Sequence, residues 1–459
     1  MLPTITLSRF AAVLAAIAVS SSPAPLRGQH AHHPGAPLLA DSLVRAAVAE
    51  GRAAGAVVVV QRGSEAPITR AYGLADVENA VPMTAEHVFP IASVTKQFTA
   101  AAVLQLVEQG KVELDEPITT YLPDAPTQGA RITVRHLLTH TAGLQDVTEV
   151  PGFRSVERLD LTPDSTIALV RDAPLHFAPG EQMRYSNTGY LLLGRLIEVV
   201  SGKSYEEYLS QHLFRPAGMR SSRYCDQRAL IPHRASGYEL APEGLVRPRF
   251  ISLRIPYAAG GICATAGDLA AWNRALHDGR ILRPGSLVEM ARPGKLRSGR
   301  RTRYGMGLAV GTLAGHPARH HGGDIQGFTS YSAYFPHDSL SVVVLVNTQG
   351  PARPDAIVEQ IAAGLLGQAP TPAGSPGREH APAADLASFV GEYGDGVRVT
   401  AATDGLHLAG SPQGDADLRF VEGTTFTDGR ARFTFERGAD GGLALWADLT
   451  WAVVRWDRK

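Results

Sequence analysis

The chain has 459 residues, with 44 basic and 44 acidic side chains and 44% hydrophobic residues. That length suggests two or three domains and ample material for a large core. A net charge of zero gives no footing for a nucleic-acid partner or for docking on an acidic membrane surface.

Arg9 precedes the apolar run FAAVLAAIAV, and the small, polar SSSPAPLRGQ follows it. This is the pattern of a secretory signal peptide, here residues 1–24, with cleavage after Ser20 or Ala24. The run is shorter than the ~20 apolar residues that span a bilayer, so no integral span is expected. An uncleaved anchor is the alternative. A periplasmic or secreted protein follows, with its fold starting near residue 37. Export would permit a disulfide between the two cysteines, Cys225 and Cys263. Two buried free thiols are the other reading.

AGAVVVVQRG (54–63) is β-branched and bounded by glycine, which predicts a strand, with ITRAYGLAD returning as its partner. From Ser93 the apolar spacing becomes helical through Phe98, Ala102 and Leu106, and Gly110 stands where the helix would stop. NTGYLLLGRLIEVVSG predicts another helix, closed by Ser201-Gly202. YGMGLAVGT, GFTSYSAYF and LSVVVLVNT read as strands, the last two joined by a PHDS turn, and PDAIVEQIAAGLLG as a helix. Strands at both ends of a helical stretch predict one α/β (α+β) domain over residues 38–366. It would hold an antiparallel sheet flanked by the terminal helices, with a helical lobe alongside. Residues 367–385 have linker composition. Residues 386–459 predict a small all-β domain, with turns at Asp404-Gly405, Asp428-Gly429 and GADGG.

Three short stretches carry the chemistry. In ASVTK, Ser93 and Lys96 lie one helical turn apart at the head of an apolar helix, where free backbone N–H groups favour an alkoxide. The chain has five lysines against 39 arginines. Lysine can act as a base and arginine cannot. To do so near neutral pH its pKa must drop about 3 units from its usual value of about 10.4, roughly 4 kcal/mol of disfavoured charge, within reach of burial. In MRYSNTGY, Tyr185 can shuttle a proton and Asn187 can orient a carbonyl or the lysine; a helix cap is the simpler reading of Asn187. In RHHGGDIQG, His321-Gly322-Gly323 opens a strand-like run whose glycines would admit another backbone at the edge, with the Asp324 N–H facing it.

Together the three pieces resemble the branch of the penicillin-recognising serine hydrolases whose second box is Tyr-x-Asn. That branch holds class C β-lactamases, D-alanyl-D-alanine peptidases and serine esterases. The resemblance extends to ITVRHLLTHTAGL, FAPGEQMRYSNTGYLLLG and AAGGICATAGDLAAW, in the family's order. It implies that Ser93 is the acyl-forming nucleophile and that Lys96 and Tyr185 share the proton work. It further implies that Asn187 contacts the substrate amide, and that the N–H groups of Ser93 and Asp324 form the oxyanion hole. Each such donor is worth about 3–4 kcal/mol in the transition state. The C-terminal segment resembles the small barrel often appended to these hydrolases.

One departure from the family pattern concerns His321. The β-lactamases of this branch usually carry lysine there; some peptidases and esterases carry histidine. A histidine is mostly neutral near pH 7. It would hold a substrate carboxylate less firmly, which favours peptide or ester substrates over β-lactams. A rate dependence near pH 6–7 is expected from His321.

Other motifs carry less. His136 and His140 are four apart, but no glutamate follows His136, so the metalloprotease motif is absent. The basic run RPGKLRSGRRTR (292–303) reads as a solvated loop or a rim for anionic substrates. The sequence therefore predicts an exported serine hydrolase acting through an acyl-enzyme on amide or ester bonds, without metal or organic cofactor. Its substrate would be a small molecule or peptide, including cell-wall fragments. The rival reading is a penicillin-recognising protein that is acylated without turnover.

Overall fold

The β-branched and small residues Ala56–Val60 and the valine- and leucine-rich Leu340–Val346 form two adjacent inner strands of a seven-stranded antiparallel sheet. The computed structural model describes residues 35–350, 352–367 and 383–459, apart from 395, 403–404, 412–413, 429–430, 439–440 and 451. The expected signal peptide and most of the expected linker lie outside the described residues. The sheet runs 309–313, 316–325, 328–335, 340–346, 55–62, 68–76 and 81–82 in spatial order.

The central strands are apolar on both faces because both faces are covered. Val57, Val59, Val343 and Leu345 face the helical lobe. Val58, Val342 and Val344 face the opposite layer, where Val44 and Ala47 of the helix Gly35–Ala49 and Ile357, Val358 and Ile361 of the helix Pro354–Leu366 complete a second core. Within the lobe, the helix Thr95–Glu108 is buried nearly all round, and Phe98 stacks on Trp272 at 4.0 Å between ring centroids. A helix so enclosed is held by packing rather than by an amphipathic stripe.

A three-stranded sheet sets the entry to that helix. Ile262–Ala264 lies between Phe89–Pro90 and Arg223–Tyr224. Cys263 sits at its centre, opposite Pro90 and Arg223, and is bonded to Cys225. Of the two readings of the cysteines, the structure takes the disulfide, with the Cα atoms 5.1 Å apart.

The C-terminal strands form a meander from Gly391–Tyr393 to Ala452–Asp457 around Tyr393, Phe426, Phe433, Phe435 and Leu445. Backbone bonds from Gly394 N–H to the Asp457 carbonyl (2.8 Å) and from Lys459 N–H to the Glu392 carbonyl (2.9 Å) join its first and last strands. The meander thus closes on itself, which removes the exposed edges of an open sheet.

Several elements differ from the sequence reading. Of YGMGLAVGT, the strand begins only at Ala309. His321-Gly322-Gly323 does not open a strand; it lies inside His316–Ile325. Gly405 is the first residue of a strand rather than part of its turn, and a side chain there would meet the Leu418 carbonyl. The helix Ala383–Phe389 starts within the stretch of linker composition. The basic run is not simply solvated: Arg292 pairs with Glu289, and Arg300 with Glu436 and Asp448.

The helix Thr95–Glu108 is also braced from below by Gly307, at φ +71°, where a Cβ would lie 2.5 Å from the Lys96 carbonyl and 3.0 Å from Ala100 Cβ. Gly307→Ala combines an unfavourable backbone region with an overlap, together costing about 2–4 kcal/mol. Calorimetry of this variant is expected to show a melting temperature several degrees lower; an unchanged value would contradict the close approach.

Candidate active site

Ser93 lies in a 3₁₀ turn, Ala92–Val94, that runs directly into the helix Thr95–Glu108. The residue before it, Ala92, has φ +47°, a conformation that costs a non-glycine residue about 1–2 kcal/mol. The turn is held by its neighbours. Ile91 N–H donates to the Ile262 carbonyl at 3.0 Å, and Ser330 Oγ donates to the Ile91 carbonyl at 2.8 Å. Gly323 passes so close that a Cβ there would meet the Ile91 carbonyl and Ser330 Oγ. The glycine is needed for that approach, which brings the strand edge to the serine.

Lys96 is fully buried, with 0% of its surface exposed. Its Nζ lies 3.3 Å from Ser93 Oγ, 2.9 Å from Asn187 Oδ1 and 2.8 Å from the Ala259 carbonyl. Burial pushes its pKa down to about 7, against a smaller upward pull from Asp146. A neutral amine has two N–H groups and one lone pair. Asn187 and Ala259 take the two donors, which leaves the lone pair for the Ser93 hydroxyl.

Tyr185 packs over the same amine, with Nζ 4.6 Å from its ring centroid. Burial drives the phenol well above its ordinary pKa, against a smaller downward pull from the Ser93 side chain, so it stays protonated and can relay a proton rather than act as a base. The ring is wedged against His140, with centroids 4.3 Å apart.

Asn187 opens the helix Asn187–Ser201, but Ser186 occupies the cap position and makes no side-chain cap bond. Asn187 is therefore not a cap. Asp146 Oδ2 accepts its backbone N–H at 2.6 Å, and Asp146 Oδ1 lies 3.5 Å from its Nδ2. This turns the amide so that its oxygen faces Lys96. Asp146, buried and also bonded to Thr148, was not singled out from the sequence. An acidic residue 41 positions upstream carries no local signal.

His321 is buried, and its Nε2 lies 2.9 Å from the Tyr304 hydroxyl and its Nδ1 2.6 Å from the Gly322 carbonyl. Burial, then the nearby Lys96, pushes its pKa down to about 3. The expectation that His321 governs a pH dependence near 6–7 is corrected accordingly: Lys96 occupies that range, and His321 is neutral throughout it. Tyr304 was also missed, because a tyrosine in a glycine-rich loop looks like any other.

His136 and His140 do not form a pair. His136 caps the helix Val134–Leu138 through Thr133. His140 Nδ1 accepts the Ser186 N–H, which fixes the residue just before Asn187.

In the hairpin Ile325–Phe328, Asp324 stands opposite Thr329, one place from the closing pair. A cavity of about 540 Å³ is lined by Ser93, Tyr185, Asn187, His321, Gly322, Gly323 and Asp324. Lys96 lies beneath it, so all eight residues named from the sequence converge. A second cavity of about 260 Å³ shares Ser93, Asn187 and Asp324 with the first and has Phe153, Leu191, Ile251 and Ile255 in its wall.

Comparison with known proteins places this geometry. The Beta-lactamase family model matches residues 40–366. A putative penicillin-binding protein, PbpX, of Bacillus subtilis (strain 168) is 31% identical over 301 residues, covering 65% of this chain and 72% of that protein. A D-aminopeptidase of Brucella anthropi is 30% identical over 303 residues, 65% of this chain but only 57% of the enzyme's own length. The D-amino acid amidase of Ochrobactrum anthropi SV3, solved with D-phenylalanine, superposes with a TM-score of 0.65 at 28% identity, over 72% of this chain and 99% of that one. The chain belongs to the β-lactamase family and has its serine-hydrolase fold.

Proposed function

We propose that this enzyme hydrolyses amides and small esters of D-amino acids through an acyl-enzyme on Ser93. The observation that carries the chemistry is the buried Lys96 amine, with both donors engaged and Ser93 Oγ 3.3 Å away. Ser93 Oγ bonds to the substrate carbonyl carbon as its proton passes to Lys96 Nζ. The resulting oxyanion faces the N–H groups of Ser93 and Asp324. The proton returns through the Tyr185 hydroxyl to the leaving nitrogen or oxygen as that bond breaks. Water then attacks the ester by the same route in reverse.

The substrate class rests on His321. A β-lactam presents a carboxylate, and a buried neutral imidazole already bonded to Tyr304 offers it no charge. The D-amino acid amidase and the D-aminopeptidase among the relatives support an amide of a D-amino acid. Two cavities meeting at Ser93 give separate room for the acyl and leaving groups. Action outside the cytoplasm is supported by the signal-like start and by the Cys225–Cys263 bond, a linkage that persists in oxidising compartments.

Turnover of D-alanine p-nitroanilide, its L enantiomer, p-nitrophenyl acetate and a chromogenic cephalosporin tests this reading. The D-amide and the ester are expected to turn over many times, with kcat/KM for the cephalosporin at least ~100-fold lower. Each bonding and charge contribution at stake is worth a few kcal/mol. A cephalosporin preference, or a burst that stops at one equivalent, would overturn it. Intact-mass measurement after brief exposure should find one acyl group on the wild type and none on Ser93→Ala.

The rate should depend on pH through the lysine. Below about pH 7 the amine is protonated and cannot accept the Ser93 proton, so kcat/KM rises as pH increases through about 7 and then levels. Asp146 holds the Lys96 pKa up, so Asp146→Asn is expected to move this limb to lower pH. In His321→Gln the limb should persist near 7; its loss would return the titration to the histidine.

A further inference from the structure

The C-terminal barrel meets the catalytic lobe behind the proton-handling residues. Its last strand, Ala452–Asp457, lies antiparallel against Met183–Arg184, with Ala452 opposite Arg184 and Val453 opposite Met183. Arg455 N–H donates to Gln182 Oε1 at 3.3 Å. Tyr185 is the very next residue. On its other side this short strand is tied by the Arg184 N–H to the His140 carbonyl at 2.9 Å. Two residues cannot make a stable strand alone; it takes its place from its neighbours.

Side chains repeat the arrangement. Met183, Tyr304, Leu296 and Ala309 of the catalytic lobe form one buried cluster with Trp446 and Val453 of the barrel. Tyr304 is the residue bonded to His321. Arg300 clamps the joint from outside. Its guanidinium lies 4.8 Å over the Trp446 ring and pairs with Asp448 at 2.8 Å and with Glu436. At 16% side-chain exposure Arg300 is shielded from solvent, unlike the typical surface ion pair.

We propose that the C-terminal barrel is a positioning element of the active site: Val453 and Trp446 set the place of Tyr185 and, through Tyr304, of His321. The proposal rests on the reading of Tyr185 as the proton relay. A displacement of about 1 Å in such a group costs on the order of 100-fold in rate. The barrel thereby couples its own folding to catalytic competence, and Trp446, Val453 and Arg300 act on the reaction without touching substrate.

Full-length variants test it by kinetics on p-nitrophenyl acetate and by hydrogen exchange. Trp446→Ala is expected to lower kcat about 10–100-fold with KM within about 3-fold. Trp446→Phe should restore most of the loss. Arg398→Ala, in an exposed pair with Glu392 elsewhere on the barrel, should change neither constant. Should Trp446→Ala fail to fold, Arg300→Ala decides, with an expected fall in kcat of about 3–10-fold. Exchange of the backbone amides of 183–187 should rise in Arg300→Ala while that of 95–108 stays unchanged, a result that is read without any turnover. Unaltered exchange at 183–187 together with unaltered kcat would overturn the proposal. A wild type that exchanges as expected but never acylates Ser93 would instead overturn the function proposed above.

Discussion

A single amine with nowhere to put a charge organises this molecule. Lys96 sits under the sheet edge with no exposed surface, and its ordinary pKa near 10.5 falls to about 7. That fall corresponds to a penalty on the charged form of roughly 5 kcal/mol. The fold tolerates it because the neutral form is well satisfied, with donors directed to Asn187 and to the Ala259 carbonyl. Around it the other titratable groups are held neutral by the same burial: His140 and His321 are pushed down, Tyr185 and Tyr304 up. Among the described residues, the nearby anion that favours a charged Lys96 is Asp146, which acts at a distance and also orients Asn187. In the proposed reaction, proton transfer is thereby confined to Ser93, Lys96 and Tyr185.

The rest of the catalytic lobe can be understood as what keeps this arrangement in place. The serine turn is strained at Ala92 and held by a strand on either side, one of them tied by the Cys225–Cys263 disulfide. Glycine at 323 lets the hairpin edge reach the serine, and glycine at 307 lets the loop before the strand Ala309–Leu313 reach the helix Thr95–Glu108. The central strands, apolar on both faces, give these contacts a rigid base. The barrel supports the remaining proton carrier from behind.

Much of this was legible in the sequence where the signal is local. Ser93 and Lys96 are one helical turn apart, Tyr185 and Asn187 precede a helix with clear periodicity, and His321-Gly322-Gly323-Asp324 precedes a hairpin turn. Strand and helix extents followed from β-branched runs and from glycine stops such as Gly202. The parts that were not legible depend on contacts between distant segments. Asp146 acts across 41 positions, Tyr304 is defined by what it touches, and Arg300 within a basic run looks solvated until Asp448 and Glu436 arrive from the barrel. The pH dependence expected of His321 was misjudged for the same reason. Its ordinary pKa describes an exposed imidazole, and no local pattern announces that this one is buried.

The depressed basicity of Lys96 can be measured on the protein without any substrate. With five lysines in the chain, ¹³Cε-lysine labelling gives few enough NMR resonances to follow each through a pH titration. One resonance, absent in Lys96→Met, is predicted to titrate near pH 7. If no lysine resonance titrates near 7, Lys96 is charged at neutral pH and cannot be the base that activates Ser93.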